Sequence, residues 1–188
     1  MMKEKLIGQI QAYTPFNEQE AMDKATILAF LGKDEDISLR ENLVAHLTAS
    51  AWVVNPERTK VLMAYHNLYN SWAWLGGHGD GTYDLAAVAE KEAREESGLT
   101  DVRLFSGDIL SLEVLTVNGH DKKGKYVPSH LHLNCTYLLE ADPNAPIRAK
   151  EDENSQVGWI DFSDIPEKST EPWFVERIYS KLCAKSTK

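Results

Sequence analysis

The stretch GGHGDGTYDLAAVAEKEAREESGL, residues 76–99, carries the most informative pattern in this chain of 188 residues. It opens with four glycines within six residues, Gly76, Gly77, Gly79 and Gly81. A glycine-rich segment at the start of a helix can approach phosphate closely or direct a backbone carbonyl at a metal ion. The helix that follows carries Glu92, Glu95 and Glu96, which lie on one flank within a single turn because each residue advances by about 100°.

The three glutamates repel one another unless something balances their charge. Glu92 and Glu96 form an i,i+4 pair of like charges, which costs about 0.2–0.5 kcal/mol when it is exposed. A divalent cation would remove that cost, and oxygen ligands of this kind select Mg²⁺ or Mn²⁺. The competing interpretation is a solvated acidic face in which Lys91 and Arg94 pair with neighbouring acids. The glycine-rich segment favours the metal site.

The whole stretch resembles the Nudix box: glycine, five residues, Glu, seven residues, then Arg-Glu-U-x-Glu-Glu-x-Gly-U, where U is a bulky apolar residue. With Gly77 as the first glycine, the later positions fall in register at Glu92, Glu95, Glu96, Gly98 and Leu99. Two positions depart from the pattern, since Tyr83 stands where Glu is expected and Lys91 where Arg is expected. In the family this Glu and Arg support the loop and the catalytic helix, so their replacement bears on loop rigidity and metal affinity.

The resemblance extends outside the box, over residues 40–162. HLTASAWVV, WAWLGGHGDG, HLHLNCTYLLEA and KEDENSQVGWI are similar, in the same order, to segments of a bacterial Nudix subgroup. This implies an α/β protein with the Nudix fold, an α/β/α sandwich around a mixed β-sheet. We expect a helical N-terminal extension over residues 1–39 and a Nudix hydrolase domain over residues 40–188.

The order of elements indicated by the residues agrees with that fold. Apolar periodicity predicts helical structure over residues 2–32, interrupted at Pro15, and an amphipathic helix over residues 172–183. Gly98 fits the position just past the end of the acidic helix, and Thr82 or Asp84 can cap its start. The predicted strands cover residues 43–54, 60–66, 102–118, 130–141 and 155–162.

The resemblance also implies an activity, the metal-dependent hydrolysis of a pyrophosphate bond in a nucleoside-diphosphate-linked substrate, with Mg²⁺ or Mn²⁺ as the cofactor. Glu95 and Glu96 are then the expected metal ligands. Glu92 is either a further ligand or the base that acts on water. The carbonyl of Gly76 or Gly77 completes the coordination, and Gly77 is also expected to contact the substrate.

Many Nudix enzymes take a base or an extra ligand from a loop outside the box. In the segment KEDENS, Glu153 is the candidate for this catalytic role, with Glu151 and Asp152 as rivals. The alternative is that the segment is a solvated acidic turn.

Several histidines are candidates for substrate binding. His78 follows the double glycine and could face a phosphate or make a hydrogen bond that holds the loop. In HLHLNCTY, strand alternation places His130 and His132 on one face together with Asn134 and Thr136. That polar face either lines the substrate groove or is the exposed face of a half-solvated strand.

Trp72 and Trp74 precede the glycines in NSWAWLGGH. Either ring could stack on a base or a sugar, and Trp74 is the candidate for substrate binding. Packing in the core beneath the loop is the alternative.

The composition narrows the class of partner. A net charge of −9 argues against a broad surface for DNA or RNA. The chain has no signal-peptide pattern and no apolar run long enough for a membrane span, so we expect a cytoplasmic protein. Its two cysteines have no CxxC spacing, which excludes a thiolate zinc knuckle. The expected partner is a small nucleotide-type molecule, and a homodimer is possible because dimers are frequent in the family.

Two other functions compete with hydrolysis. Tyr83 and Lys91 favour a catalytically weak module that binds or senses a nucleotide. A diphosphate isomerase on the same fold is the third candidate. Because that chemistry expects an active-site cysteine in a distinctive loop, whereas Cys135 lies on an apolar strand face, the isomerase ranks last.

Overall fold

The computed structural model describes residues 2–67, 70–122, 124–150 and 154–187. Within these ranges the strands are β1 (Ala45–Val54), β2 (Lys60–His66), β3 (Ser71–Ala73), β4 (Leu75–His78), β5 (Val102–Val117), β6 (His120–Lys122), β7 (Lys125–Val127), β8 (His130–Ala141) and β9 (Asn154–Asp161). The helices are α1 (Met2–Ala12), α2 (Glu18–Leu31), α3 (Leu85–Ser97), α4 (Ile165–Lys168), α5 (Pro172–Phe174) and α6 (Ser180–Ser186), with a π-helical segment over Val175–Tyr179 between the last two.

The main sheet is mixed and is built around β1, a strand whose residues are all buried. β1 pairs in parallel with β8, from Ala45 opposite Leu131 to Val54 opposite Glu140. β1 also pairs antiparallel with β2 and β4, while β8 pairs antiparallel with β5. β3 and β9 extend the sheet beyond β2, and β6 with β7 forms a separate ribbon.

Alternate side chains of β1 enter two cores on opposite faces of the sheet. Leu47 packs in the same cluster as Ala89 of α3, whereas Trp52 packs with Ile178 and Leu182 of the C-terminal helical region. Helices therefore cover both faces, because each face of a buried central strand is apolar. The α/β/α sandwich predicted from the sequence is confirmed.

The two N-terminal helices pack onto the core that α3 shares with the sheet. Leu6 and Ile10 of α1 and Ile27 of α2 are fully buried there. The Asn17 side chain caps α2 by accepting a hydrogen bond from the Glu20 N–H at 3.0 Å. The division of the chain at residues 39 and 40 stays a prediction.

The glycine-rich segment begins as a strand, which the sequence did not predict. In β4, Gly76 lies opposite Ser50 and Gly77 opposite Ala49. A Cβ on Gly76 would lie 2.5 Å from the Ala49 carbonyl oxygen, so glycine is needed because two backbones approach closely. A positive φ is found at Gly81 instead.

No helix among the described residues is both long and apolar enough to cross a membrane.

Candidate active site

Glu96 is the most firmly held of the three acidic side chains on α3. It is 6% exposed. Its Oε2 accepts a hydrogen bond from the Gly76 N–H at 2.9 Å, and its Oε1 accepts one from Asn154 Nδ2 at 3.1 Å. The carboxylate is therefore positioned by β4 on one side and by the start of β9 on the other.

Glu92 lies against the backbone of the second glycine. A Cβ on Gly77 would lie 2.5 Å from the Glu92 carboxyl carbon, so the acid occupies the space that a side chain would fill. Glu95 is the most open of the three, with a side chain that is 45% exposed against 14% for Glu92. Two of the glutamates, Glu92 and Glu96, thus contact the glycine strand.

The ends of α3 explain why these residues form a helix at this position. Asp84 is the N-cap and accepts a hydrogen bond from the Ala87 N–H, and Thr82 Oγ1 accepts one from the Asp84 N–H. Gly98 ends the helix at φ 71°, a left-handed conformation that costs glycine little. Both predicted helix ends are confirmed.

Each residue that departs from the Nudix box has a different partner. Tyr83 donates a hydrogen bond to Asp36 Oδ1 at 3.0 Å, which ties the loop to the segment after α2. Lys91 Nζ donates to Glu92 Oε1 at 3.1 Å and to Glu95 Oε2 at 3.2 Å. The bond to Glu92, followed by that to Glu95, raises the pKa of Lys91, so the lysine stays charged beside the acids.

The acidic site opens into a groove of about 1010 Å³. All three glutamates line it, as do Gly76, Gly77, His78, Trp74, His130 and His132. The structure therefore brings together every described residue that the sequence marked as a candidate. Glu153, Glu151 and Asp152 lie outside the described residues, although Lys150 and Asn154 on either side of them line the groove.

Four histidines in the groove form a cluster, which we call the histidine cluster: His46, His78, His130 and His132. The His46 ring centroid lies 4.7 Å from that of His130, 5.0 Å from that of His132 and 5.1 Å from that of His78. His130 Nε2 lies 3.2 Å from His132 Nε2. The cluster forms because parallel pairing sets His46 directly opposite His132.

Two rings of this cluster, those of His46 and His132, are uncharged near neutral pH because their pKa values are lowered. Burial lowers the pKa of His132 to about 2, and the neighbouring histidines contribute to the same shift. Burial also lowers the pKa of His46. These two rings offer nitrogen lone pairs to a ligand rather than positive charge.

The polar face of β8 is buried, so the alternative of a half-solvated strand is wrong. Asn134 and Thr136 are 1% and 0% exposed. Asn134 Oδ1 accepts hydrogen bonds from Thr48 and Ser50 of β1, both at 3.0 Å. Its Nδ2 donates to Glu113 Oε2 of β5 at 2.9 Å. These hydrogen bonds follow the histidines along β1 and β8. They hold in place the side chains that line the bottom of the groove.

Trp74 packs against other aromatic rings and also lines the groove. Its ring contacts Tyr179 edge-on, with centroids 5.7 Å apart, and Phe174 edge-on at 6.2 Å. It packs against the apolar cluster of the C-terminal region and also lines the groove. An aromatic wall of this kind suits a base or a sugar.

The comparisons with known proteins agree with this site. The NUDIX domain family matches residues 44–182, which is most of the chain. This chain belongs to the NUDIX family. The class of enzyme predicted from the sequence, a Nudix-type pyrophosphohydrolase, is confirmed with it.

Solved structures of similar fold extend the comparison. The MutT protein from Methanosarcina mazei Go1 is 16% identical, with a TM-score of 0.52, over 77% of this chain and 97% of that one. A Nudix hydrolase from M. smegmatis, RenU, is 15% identical, with a TM-score of 0.50, over 80% of this chain and 92% of that one. At this identity the likeness shows the fold alone. A search of curated protein sequences gives no match.

Sequence reasoning missed two residues of the site. His46 lies in AHLTAS, where His46, Thr48 and Ser50 alternate with apolar residues as they do in HLHLN, so the signal was present. Asn154, which holds Glu96, lies next to the acidic segment KEDENS and had no pattern of its own.

Proposed function

We propose that this protein hydrolyses the pyrophosphate bond of a nucleoside-diphosphate-linked substrate, with Mg²⁺ or Mn²⁺ bound at Glu92, Glu95 and Glu96. The observation that carries the proposal is the contact between α3 and β4. There, Glu96 is held by the Gly76 N–H, and Glu92 fills the space left by the missing side chain of Gly77. A side chain on Gly77 would displace Glu92, whereas one on Gly76 would collide with the backbone of β1.

The residues fit a hard divalent cation. Three carboxylates lie on one flank of α3, and Lys91 pairs with two of them. Carboxylate and backbone carbonyl oxygens are the ligands that Mg²⁺ and Mn²⁺ prefer. We assign Glu95 and Glu96 as ligands, together with Glu92 and the carbonyl of Gly76. When bound, such a cation neutralises charge on phosphate oxygens and lowers the pKa of a bound water.

The groove would bind and position the rest of the substrate. Trp74 provides an aromatic surface for a base or a sugar. His78, His130 and His132 line the groove with nitrogen atoms that can bind the polar part of the substrate. Phosphoryl transfer depends mainly on positioning and electrostatic stabilisation, so a pre-formed groove of this kind suits it.

If Glu92 is not a ligand, it is the base that acts on water, because this acid touches Gly77 and is largely shielded from solvent. Glu153 stays a candidate for the same role. A cytoplasmic location and a homodimer also stay predictions.

The test is a hydrolysis assay with ADP-ribose, dinucleoside polyphosphates and oxidised nucleoside triphosphates in Mg²⁺ or Mn²⁺. We expect turnover of at least one substrate, and a fall in kcat/KM of at least about a hundredfold in Glu96→Gln. The matched control is Glu90→Gln, which removes a glutamate of α3 that pairs with Arg94 instead. Undiminished hydrolysis by Glu95→Gln combined with Glu96→Gln would rule out this metal site.

The nucleotide-sensing alternative is favoured by one observation, the double pairing of Lys91 with Glu92 and Glu95. A lysine in that position competes with a cation for the same two carboxylates. Tight binding of one nucleotide without turnover in either metal would support this second function.

The isomerase alternative has no support from the cysteines. Cys135 is fully buried in the apolar core, where burial raises the pKa of its thiol. Cys183 is half-buried on α6, and burial raises the pKa of its thiol to about 12.

A further inference from the structure

We propose that His46, His130 and His132 form a second metal site in the groove, one that binds Zn²⁺ or a similar transition-metal ion through imidazole nitrogens. One ring nitrogen from each residue lies within 4.8 Å of the other two. Zn–N bonds of about 2.0–2.1 Å in tetrahedral geometry place ligand nitrogens about 3.4 Å apart. His130 and His132 already have that spacing, at 3.2 Å between their Nε2 atoms.

The carbonyl contacts of His46 and His130 direct the Nε2 atom of each of these two rings toward a metal. His46 Nδ1 lies 3.0 Å from the Asn42 carbonyl oxygen, and His130 Nδ1 lies 2.8 Å from that of Pro128. A carbonyl can only accept, so each Nδ1 carries a hydrogen, and the neutral tautomer of either ring has its lone pair on Nε2. Metal-binding histidines are commonly oriented in this way, with the second nitrogen donating to a carbonyl.

His46 gives a second and independent indication. The residue is 3% exposed, and its Nε2 is buried without a hydrogen-bond partner among the described residues. Buried polar atoms are almost always paired, so an unpaired ring nitrogen that faces two further imidazoles calls for a ligand. A metal ion held by all three rings would satisfy it.

The two sites in the groove would select different ions. Imidazole nitrogens favour Zn²⁺ and its neighbours in the transition series, whereas the carboxylates of α3 favour Mg²⁺ or Mn²⁺. Three histidines also leave one position of a tetrahedral zinc ion for water or substrate. A bound ion would give positive charge to a part of the groove where burial lowers the pKa values of His46 and His132. The existence of this site does not depend on the proposed hydrolysis.

The test is direct zinc binding by the full-length protein after removal of metals with EDTA. Titration with Zn²⁺ against a chromophoric chelator is expected to show one tight site per chain. His132→Asn and His130→Asn should each weaken that site by at least about a hundredfold, because each removes a ligand. His120→Asn is the matched control, because His120 lies on the β6–β7 ribbon and is not in the cluster. Like His46 and His130, it has its Nδ1 close to a backbone carbonyl oxygen, that of Asn118, at 2.9 Å.

A second experiment distinguishes zinc bound at the histidines from zinc bound at the carboxylates of α3. Glu92→Gln combined with Glu95→Gln should leave zinc affinity unchanged, and Co²⁺ in place of Zn²⁺ should give the visible absorption of a nitrogen-ligated ion. If a histidine variant does not fold, anomalous scattering from a wild-type crystal soaked in Zn²⁺ decides. A peak about 2.0–2.1 Å from the three Nε2 atoms supports the proposal. Zinc bound only at the glutamates, or no tight zinc site, overturns it.

Discussion

Among the described residues, two groups of buried polar side chains differ in how completely their members are paired. The first, which we call the buried ion network, joins α2, β5 and α6 and consists of Glu20, Glu113, Lys181 and Lys185. The second is the histidine cluster in the groove. The two groups are linked through Asn134, which bonds to Glu113 on one side and to the strand β1 on the other.

The buried ion network contains two lysines and two glutamates, and each of them has a partner of opposite charge. Lys181 Nζ lies 3.2 Å from Glu20 Oε1 and 3.1 Å from Glu113 Oε1. Glu20 also accepts hydrogen bonds from Tyr13 Oη and the Phe16 N–H, at 2.6 and 2.7 Å. Two positive and two negative side chains are thus buried together, as buried charges must be.

The histidine cluster, in contrast, retains an unpaired buried nitrogen on His46 within the described part of the chain, and its members are all imidazoles. A polar network whose hydrogen bonds are all made stabilises one arrangement of the chain. A network with an unpaired buried atom leaves a position that a ligand can occupy. The difference indicates that the first group serves the fold and the second serves binding. Perturbation of each group should therefore have a different kind of consequence.

The largest effect is expected for Lys181→Met, which leaves Glu20 and Glu113 buried without their shared partner. Breaking a buried ion pair on one side typically costs about 3–5 kcal/mol of unfolding free energy. Urea denaturation measures it. Arg103→Met is the control, because the Arg103 side chain is 75% exposed in its pair with Glu140 and should matter by less than about 1 kcal/mol. Equal costs for the two variants would mean that the network is not structural.

Gly77→Ala should damage activity more than stability. The new Cβ would lie 2.5 Å from the carboxyl carbon of Glu92, and the flexible acid would move away from the metal site. A displacement of about 1 Å can cost about a hundredfold in rate, so kcat/KM should fall to that degree. Gly107→Ala is the matched control, because a Cβ there would meet none of the described residues beyond its chain neighbours within 4 Å. Full activity in Gly77→Ala would separate Glu92 from catalysis.

Acid should weaken the buried ion network through Glu20. Burial raises the pKa of Glu20, but hydrogen bonds from Tyr13 and Phe16 and the charge of Lys181 outweigh it, and the pKa lies below its usual 4.5. A lowered pKa means that the carboxylate stabilises the fold above pH 4.5 and that this stabilisation is lost as the pH falls further. Each proton taken up on unfolding contributes at most about 1.4 kcal/mol per pH unit.

The measurement is the unfolding free energy of wild type and Glu20→Gln as the pH falls below 4.5. Wild type should show the steeper slope, since the amide of the variant does not titrate. Identical slopes would show that Glu20 has no lowered pKa.

The smallest effect is expected for His132→Asn in the metal-free protein. The ring is half-buried, and water can replace its contact with His130, so the unfolding free energy should change by about 1 kcal/mol or less. Thermal or urea unfolding after EDTA treatment measures it. A loss as large as that of Lys181→Met would show that the histidines hold the fold together.

The placement of the three glutamates on one helix could be predicted from the sequence because its signal is local. Glu92, Glu95 and Glu96 lie within one turn of a helix whose end is marked by Gly98, and local spacing is preserved on folding. β4 escaped prediction because Gly76 and Gly77 have no side chains, and strand alternation cannot be seen without them.

The histidine cluster and the buried ion network depend on contacts between residues that are far apart in the chain. His46 meets His132 only because β1 and β8 run in parallel with one particular register. Lys181 reaches Glu20 and Glu113 from the C-terminal helix, and neither spacing nor composition marks that contact. The sequence shows where the histidines, lysines and glutamates are, but it does not show which residues they contact in the folded protein.

The most direct measurement is a crystal structure of the protein soaked in both Mn²⁺ and Zn²⁺, with anomalous scattering recorded for each metal. We predict manganese between Glu92, Glu95 and Glu96 and zinc among His46, His130 and His132, in one groove. Glutamates that point apart into solvent, with manganese absent from α3, would contradict the proposed catalytic site.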